Sequence, residues 1–432
     1  MSTRRNFITT ISKATAVASI APAIVSADLI GHFKRTEKFT PAQIATDEAL
    51  WESISNAYTV DVNLINLNNG GVSPQPLPVQ QAFEKLYEQC NLGPSYYMWR
   101  IIDKGREPLR ERLAALAGCD KEELAINRNT TEALGTVVFG LNLKAGDEVV
   151  LTKMDYPNMI HAWQQREKRD GIKLVWIDLQ LPIESENELV KKYVNAFTPK
   201  TKVVHITHII NWCGQIIPAK RIAAEAHQRG IEVVLDAAHS FAHFDFKLSD
   251  IDCDYAGTSL HKWLGAPFGN GFLFVKKEKI KNLWPLFPND KPDSDNIRKF
   301  EVLGTRNFAT EQAINSAIDF HLMIGTARKE ERLRYLKNYW CEKVKDTPGV
   351  KLNTSLKKEY SCAIAHIEIK GLKAGELESK LFNDYKIHTS PIGWEYLNGV
   401  RITPNVYTRL KDLDQLVMAI NKIAGESLKN LK

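Results

Sequence analysis

Four short apolar runs constrain this chain more than any other feature of it. "DEVVLT" (147–152), "KLVWID" (173–178), "KVVHIT" (202–207) and "EVVLDAA" (232–238) are rich in valine and isoleucine, and each is too short for a buried helix. Helical patterns lie before and between them. "EPLRERLAALAG" (107–118) ends on a glycine stop, "TEALGTVVFGL" (131–141) follows it, and "PAKRIAAEAHQRG" (218–230) opens on proline and closes on glycine. Strand, helix and strand in repetition predict an α/β fold with a mostly parallel sheet flanked by helices. From about Asp319 the pattern changes to a long charged helix, a strand-like "CAIAHIEIK" (362–370) and a final helix, which predict a smaller α+β C-terminal domain. The expected division is a leader at 1–27, an N-terminal segment at 28–65, a large domain at 66–318 and a small one at 319–432. A chain of 432 residues, 44% hydrophobic and 25% charged, is enough for two such domains.

In open α/β sheets ligands bind at the carboxyl ends of the strands, so the residues after each apolar run are the ones that matter. "EVVLD" ends in Asp236, "KVVHITHIIN" leads to His208 and Asn211, "VVLTKMDYPN" leads to Tyr156, and "YAGTSLHK" leads to Ser259, His261 and Lys262. "AINRNTTEAL" sets Thr130 and Thr131 at a helix start, where hydroxyls and free N–H groups either cap the helix or bind an anion. One cofactor uses the whole set. Pyridoxal phosphate needs a lysine to bond its aldehyde carbon, a carboxylate at its ring nitrogen and a cradle for its phosphate. Lys262, Asp236 and the Thr130–Thr131 helix start supply these. His239 and His243 stand four residues apart, as a metal pair would, but the surrounding lysine, threonines and arginine suit phosphate and carboxylate better, so no metal is expected. A metal-dependent hydrolase using Asp236, His239 and His243, and a non-catalytic secreted binding protein, are the competing readings.

Asp236-Ala-Ala-His239 followed by Ser259-Leu-His261-Lys262-Trp263 resembles the cofactor segment of fold-type I pyridoxal-phosphate enzymes, in the class V aminotransferase family that includes cysteine desulfurases and isopenicillin N epimerase-like proteins. "LNNGGVSP", "RNTTEAL", "HIINWCGQIIP", "LGTRNFA" and "GVRITPNVYTR" resemble further family motifs in the family's order, from about Asn66 to the C-terminus. The "YMWR…REPLRERL" stretch is more similar to the epimerase-like members than to the desulfurases. The resemblance implies Lys262 and Asp236 as catalytic residues and pyridoxal 5'-phosphate as cofactor. It implies Thr130, Thr131, Ser259 and His261 at the phosphate, Tyr156 stacked on the ring, His239 at its hydroxyl, and Asn211 at that hydroxyl or at the substrate. Thr305 would reach the phosphate of a second subunit, so a homodimer is expected. Arg401 would bind the substrate carboxylate, with Asn69 on the same substrate side. The expected activity is aminotransfer on an amino acid, with epimerisation or β-elimination as alternatives. The segment "HTSPIGWEYLNGVRI" has no cysteine, and Cys362 lies 39 residues before Arg401, so no persulfide is expected.

The start "MSTRRNFITTISKATAVASIAPAIVSA" has a charged front, a small-residue apolar stretch and a plausible cleavage site at Val25-Ser26-Ala27. "STRRNFI" resembles a twin-arginine signal, which predicts export, as to the periplasm, without stable membrane insertion. The net charge of +6 includes three cations of that leader and no block of Lys and Arg, which argues against a nucleic-acid partner. Six cysteines without a CxxC pair predict neither a zinc site nor a disulfide scaffold.

Overall fold

The structure is a computed structural model that describes residues 38–431, so the leader lies outside the described residues. Thirteen strands are formed among these residues: β1 Ile65–Asn66, β2 Leu124–Asn127, β3 Glu148–Thr152, β4 Lys173–Ile177, β5 Thr201–Thr207, β6 Glu232–Asp236, β7 Tyr255–Ser259, β8 Gly271–Val275, β9 Val350–Leu352, β10 Ala365–Ile369, β11 Ile387–His388, β12 Ser390–Trp394 and β13 Leu397–Ile402. Seven of them make the central sheet in the order β2-β8-β7-β6-β5-β3-β4. The β4-β3-β5-β6-β7 pairings are parallel, and β8 runs antiparallel to both β7 and β2. Six strands therefore point one way, and their carboxyl ends share one edge.

The four apolar runs are β3 to β6, and their side chains alternate between two cores. Val149, Val203 and Val234 pack on one face with Leu134 and Trp163. Val150, Val204 and Val233 pack on the other with Leu109 and Ile222. Strands buried on both faces need continuous apolar sequence rather than alternation, and each such valine contributes roughly 1.5–3 kcal/mol by leaving water. The covering helices fall where their end signals predict. Arg106–Ala117 stops at Gly118, whose φ of +71° only glycine adopts cheaply, and the last coiling before β6 runs Ala219–His227 behind Pro218.

The C-terminal part holds a four-stranded antiparallel sheet, β12-β13-β10-β9, covered by the helices Ala374–Tyr385 and Leu410–Asn430. The long charged helix expected from Asp319 is two helices, Ile314–Ile324 and Thr326–Val344, because Gly325 at φ +87° breaks the run. One connection was not expected. β1, near the start of the described chain, pairs in parallel with β11, and the bonds continue through Leu67 N–H to His388 O and Thr403 N–H to Leu67 O. The N-terminal segment is thereby stitched to the C-terminal sheet, beside the loop that carries Asn68 and Asn69.

Candidate active site

Chain order between β3 and β5 sets the position of the site. β3 leads outward to β4 and β5 leads the other way to β6 and β7, so the crossovers diverge and leave a crevice at the carboxyl ends. Tyr156 opens the Pro157–Asp170 helix after β3, Asn211 follows β5, Asp236 closes β6, and Ser259 closes β7 with Lys262 three residues on. Asp236 pairs in register with Gly257, so the carboxylate and the turn that carries Lys262 leave adjacent strands.

Lys262 Nζ lies 3.2 Å from His239 Nε2 and 6.0 Å from the centre of the Tyr156 ring. Burial brings its pKa down to about 8; the Asp236 charge opposes that shift and Arg401 adds to it. Asp236 is 3% exposed, and one of its carboxylate oxygens, Oδ1, accepts from Ala238 N–H at 2.9 Å. Burial raises its pKa, against the pull of His205, the Ala238 N–H and Lys262. Thr130 starts an 11-residue helix, and its N–H and hydroxyl lie 3.0 and 2.8 Å from the Ser259 hydroxyl. Two hydroxyls at the positive end of a helix dipole suit an anion. His261 keeps an unpartnered, buried Nδ1 and is lowered to about 4 by burial and Lys262.

Arg401, on β13, reaches across from the C-terminal sheet. Its guanidinium donates to Asn211 O at 3.1 Å and to Asn68 Oδ1 at 3.0 Å, while Nε is buried without a partner. Burial lowers its pKa to about 10. A buried cation with a free donor and no carboxylate beside it is a receptor for an anionic group. Asn211 Oδ1 is likewise buried and unpartnered.

Two expected residues stand apart from this cluster. Thr131 is exposed and its hydroxyl accepts only from Asn158, at 3.5 Å. Thr305 is exposed in the turn before the Phe308–Gln312 helix and bonds none of the site residues described. Asn69 differs from expectation as well. It is fully buried, its amide donates to Thr403 O at 2.8 Å, and its carbonyl accepts from the Tyr407 hydroxyl at 2.6 Å, so it holds the loop while Asn68 meets Arg401. Sequence reading also missed Asp155. This carboxylate is fully buried, accepts from Thr152 N–H at 2.7 Å and from the Thr207 hydroxyl at 2.6 Å, and is pushed up to about 6 by burial. His243 has both nitrogens engaged, Nδ1 by His239 O and Nε2 by Ala363 N–H.

The donor set fits pyridoxal phosphate. A primary amine with a depressed pKa, a buried carboxylate one strand away, a hydroxyl pair at a helix N-terminus and unsatisfied buried atoms at Asn211 and His261 are the groups its aldehyde, ring nitrogen, phosphate and ring oxygen would meet. Comparison with known proteins agrees. The model of the family described as aminotransferase class-V matches residues 65–398. Isopenicillin N epimerase of Streptomyces clavuligerus is 30% identical over 397 residues, which cover 87% of this chain and 99% of that protein. A probable cysteine desulfurase of Synechocystis sp. is 28% identical over 340 residues, 74% of this chain and 80% of that one. Among solved structures, a cysteine desulfurase of Escherichia coli superposes with a TM-score of 0.76 at 20% identity, covering 90% of this chain and 99% of the other.

Proposed function

Because the chain belongs to the class-V aminotransferase family, whose cofactor is pyridoxal phosphate, we propose that it acts at the α-carbon of an amino acid and that its reaction is aminotransfer. When bound, the cofactor supplies an electron sink for negative charge at that carbon. Lys262 would hold the cofactor through its amine, and the same amine, as the free base, would take the α-proton of the substrate. Thr130, Ser259 and His261 would hold the phosphate, Asp236 would keep the ring nitrogen protonated, and Arg401 would grip the substrate carboxylate and so orient the α-hydrogen. The observation that carries this reading is the placement of the buried Lys262 amine, on the turn after β7 beside the strand that ends in Asp236, with the Thr130 and Ser259 hydroxyls 2.8 Å apart at the helix start; burial also lowers the amine to about 8, so that its free base is accessible near neutral pH. Aminotransfer needs one base on one face, and Lys262 is that base.

Epimerisation is the second reading. It needs a proton donor on another face, a role for which Tyr156, its ring centre 6.0 Å from Lys262 Nζ, is the candidate; the relative that matches over 99% of its own length carries the name epimerase. Persulfide chemistry is disfavoured, because Cys362 is fully buried and its thiol is pushed up to about 12. We take the protein to be an exported homodimer in which Thr305 serves the neighbouring phosphate site. No helix among the described residues is long and apolar enough to cross a membrane.

Adding pyridoxal phosphate to the purified chain should give a yellow band that borohydride bleaches and Lys262→Ala lacks; a colourless wild-type protein overturns the assignment. Amino acids offered with and without keto-acid acceptors then separate the outcomes. Amino transfer requires the acceptor, whereas loss of optical rotation without one marks epimerisation.

A further inference from the structure

Trp263 directly follows the reactive lysine and touches the site without facing substrate. Its side chain is 1% exposed. The indole N–H donates to Nδ1 of His239 at 3.3 Å, and the other ring nitrogen, Nε2, lies 3.2 Å from Lys262 Nζ. An indole N–H can only donate, and a neutral imidazole carries a single proton, so the nitrogen that accepts from the indole leaves that proton to the other. His239 is neutral, since burial, then the charges of Lys262 and Arg401, then His243, hold its pKa well below the usual value. Its proton therefore sits on Nε2. Nε2–H can bond to Lys262 only when the amine is unprotonated and offers its lone pair.

We infer that Trp263 is a positioning residue that occupies Nδ1 of His239, fixes the Nε2–H tautomer, and thereby favours the free-base form of Lys262. The inference rests on the reading of Lys262 as the reactive amine. Trp263 is itself held on three sides. Its ring stacks on His243 with centroids 3.7 Å apart and planes 13° apart. His243 is locked in the opposite tautomer, because Ala363 N–H donates to its Nε2 at 3.0 Å and its Nδ1–H donates to His239 O at 2.7 Å. The backbone carbonyl of Trp263 accepts from the buried Lys329 amine. Ala363 and Lys329 belong to the C-terminal part of the chain, so that part helps to hold the indole in place. The charges that face Lys262 are Asp236 on β6 and Arg401 on β13, with the Tyr156 ring beside it and His261 next in sequence. Neither carboxylate nor guanidinium bonds to His239, which leaves the indole to choose the tautomer.

The test is the pH dependence of Lys262 acetylation in the full-length, cofactor-free chain, read by mass spectrometry. Trp263→Phe keeps the stacked ring and deletes the donor. Nδ1 can then take the proton and Nε2 accept from the ammonium form, so the midpoint should rise by about one pH unit, the worth of one hydrogen bond. In a His239→Gln background the same substitution should shift nothing, because an amide turns to suit either state of the lysine. An unchanged midpoint, or equal shifts in both backgrounds, overturns the inference. Should Trp263→Phe fail to fold, the 15N spectrum of His239 in the wild-type chain decides: protonated Nε2 with bare Nδ1 supports it, and the reverse tautomer overturns it. Both measurements are made without cofactor, so a wild-type chain that forms no yellow band removes the cofactor reading and leaves this result standing.

Discussion

On the proposed reading, Arg401 is the residue whose charge would hold the substrate. A planar fork held by Asn211 O and Asn68 Oδ1 is built for a carboxylate, and lysine cannot reproduce two parallel bonds. Arg401→Lys should therefore raise KM for the amino acid by roughly 10- to 100-fold while kcat changes less; steady-state kinetics across substrate concentration check this, and a pure kcat effect contradicts it. Asp155 works through stability instead. Its folded pKa of about 6 lies above the unfolded value, so between pH 4 and 6 the folded chain binds a proton that the unfolded chain lacks, and this group's contribution rises as pH falls. Asp155→Asn removes that contribution, which is up to about 3 kcal/mol over the two units. Denaturant titrations of both proteins at pH 4, 5, 6 and 7 should diverge accordingly. Asp155 was illegible in the sequence because a polar residue before Tyr-Pro reads as an exposed turn, and only the folded chain turns its carboxylate inward to Thr207. The lysine and the carboxylate at Asp236 were legible because each follows or closes an apolar run, and Arg401 only through the resemblance of "GVRITPNVYTR" to a family motif. The choice between Asn68 and Asn69 was not, since adjacent residues differ only in which way the loop bends.

At the scale of elements, the phosphate end depends on how closely the Thr130–Gly140 helix approaches β7. Gly257 permits that approach: a Cβ there would stand 2.8 Å from Leu134 Cγ and 2.9 Å from Ala133 Cβ. Gly257→Ala should push the helix off the sheet, cost about 1–3 kcal/mol by overpacking, and part the Thr130 and Ser259 hydroxyls. Cofactor titration should then show weaker binding even though Lys262 and Asp236 are intact; unchanged affinity would mean that the helix start does not carry the phosphate. The strands β3 to β6 and the helix end at Gly118 could be read from sequence because burial on both faces leaves an unbroken apolar signature and a left-handed glycine marks a stop, whereas the helix expected to close at Gly230 ends at His227, three residues before that left-handed glycine. Gly325 carried the same signal and was read through, because a helical period continues across it from the largely apolar stretch 320–324 into the charged residues that follow. The pairing of β1 with β11 had no local signal at all: two residues long, it is specified only by partners more than 300 positions away.

For the molecule as a whole, acid is the condition to which the fold is most exposed. Burial lowers His205 and His261 to about 4, and His208 and His366 to about 3. Between their unfolded value near 6.5 and these folded values the unfolded chain takes up protons that the native chain refuses, so stability falls as pH falls, by about 1.4 kcal/mol per pH unit for each group. The histidines outnumber Asp155, and the denaturation midpoint should drop from pH 7 to pH 5; a rise would show that the histidines titrate in the native state. The exposed Tyr96 and Trp99 are apolar surface of the kind that subunits cover, and sedimentation should give twice the 48.9 kDa of one chain. The stitch between residues 65–69 and the strands after 387 also sets a timetable. A ribosome adding about 5–20 residues per second makes β1 some 16–64 seconds before its partner strand exists, so the loop that bears Asn68 must wait unpaired through most of synthesis, and the carboxylate grip at Arg401 is completed only as the nascent chain is nearly finished.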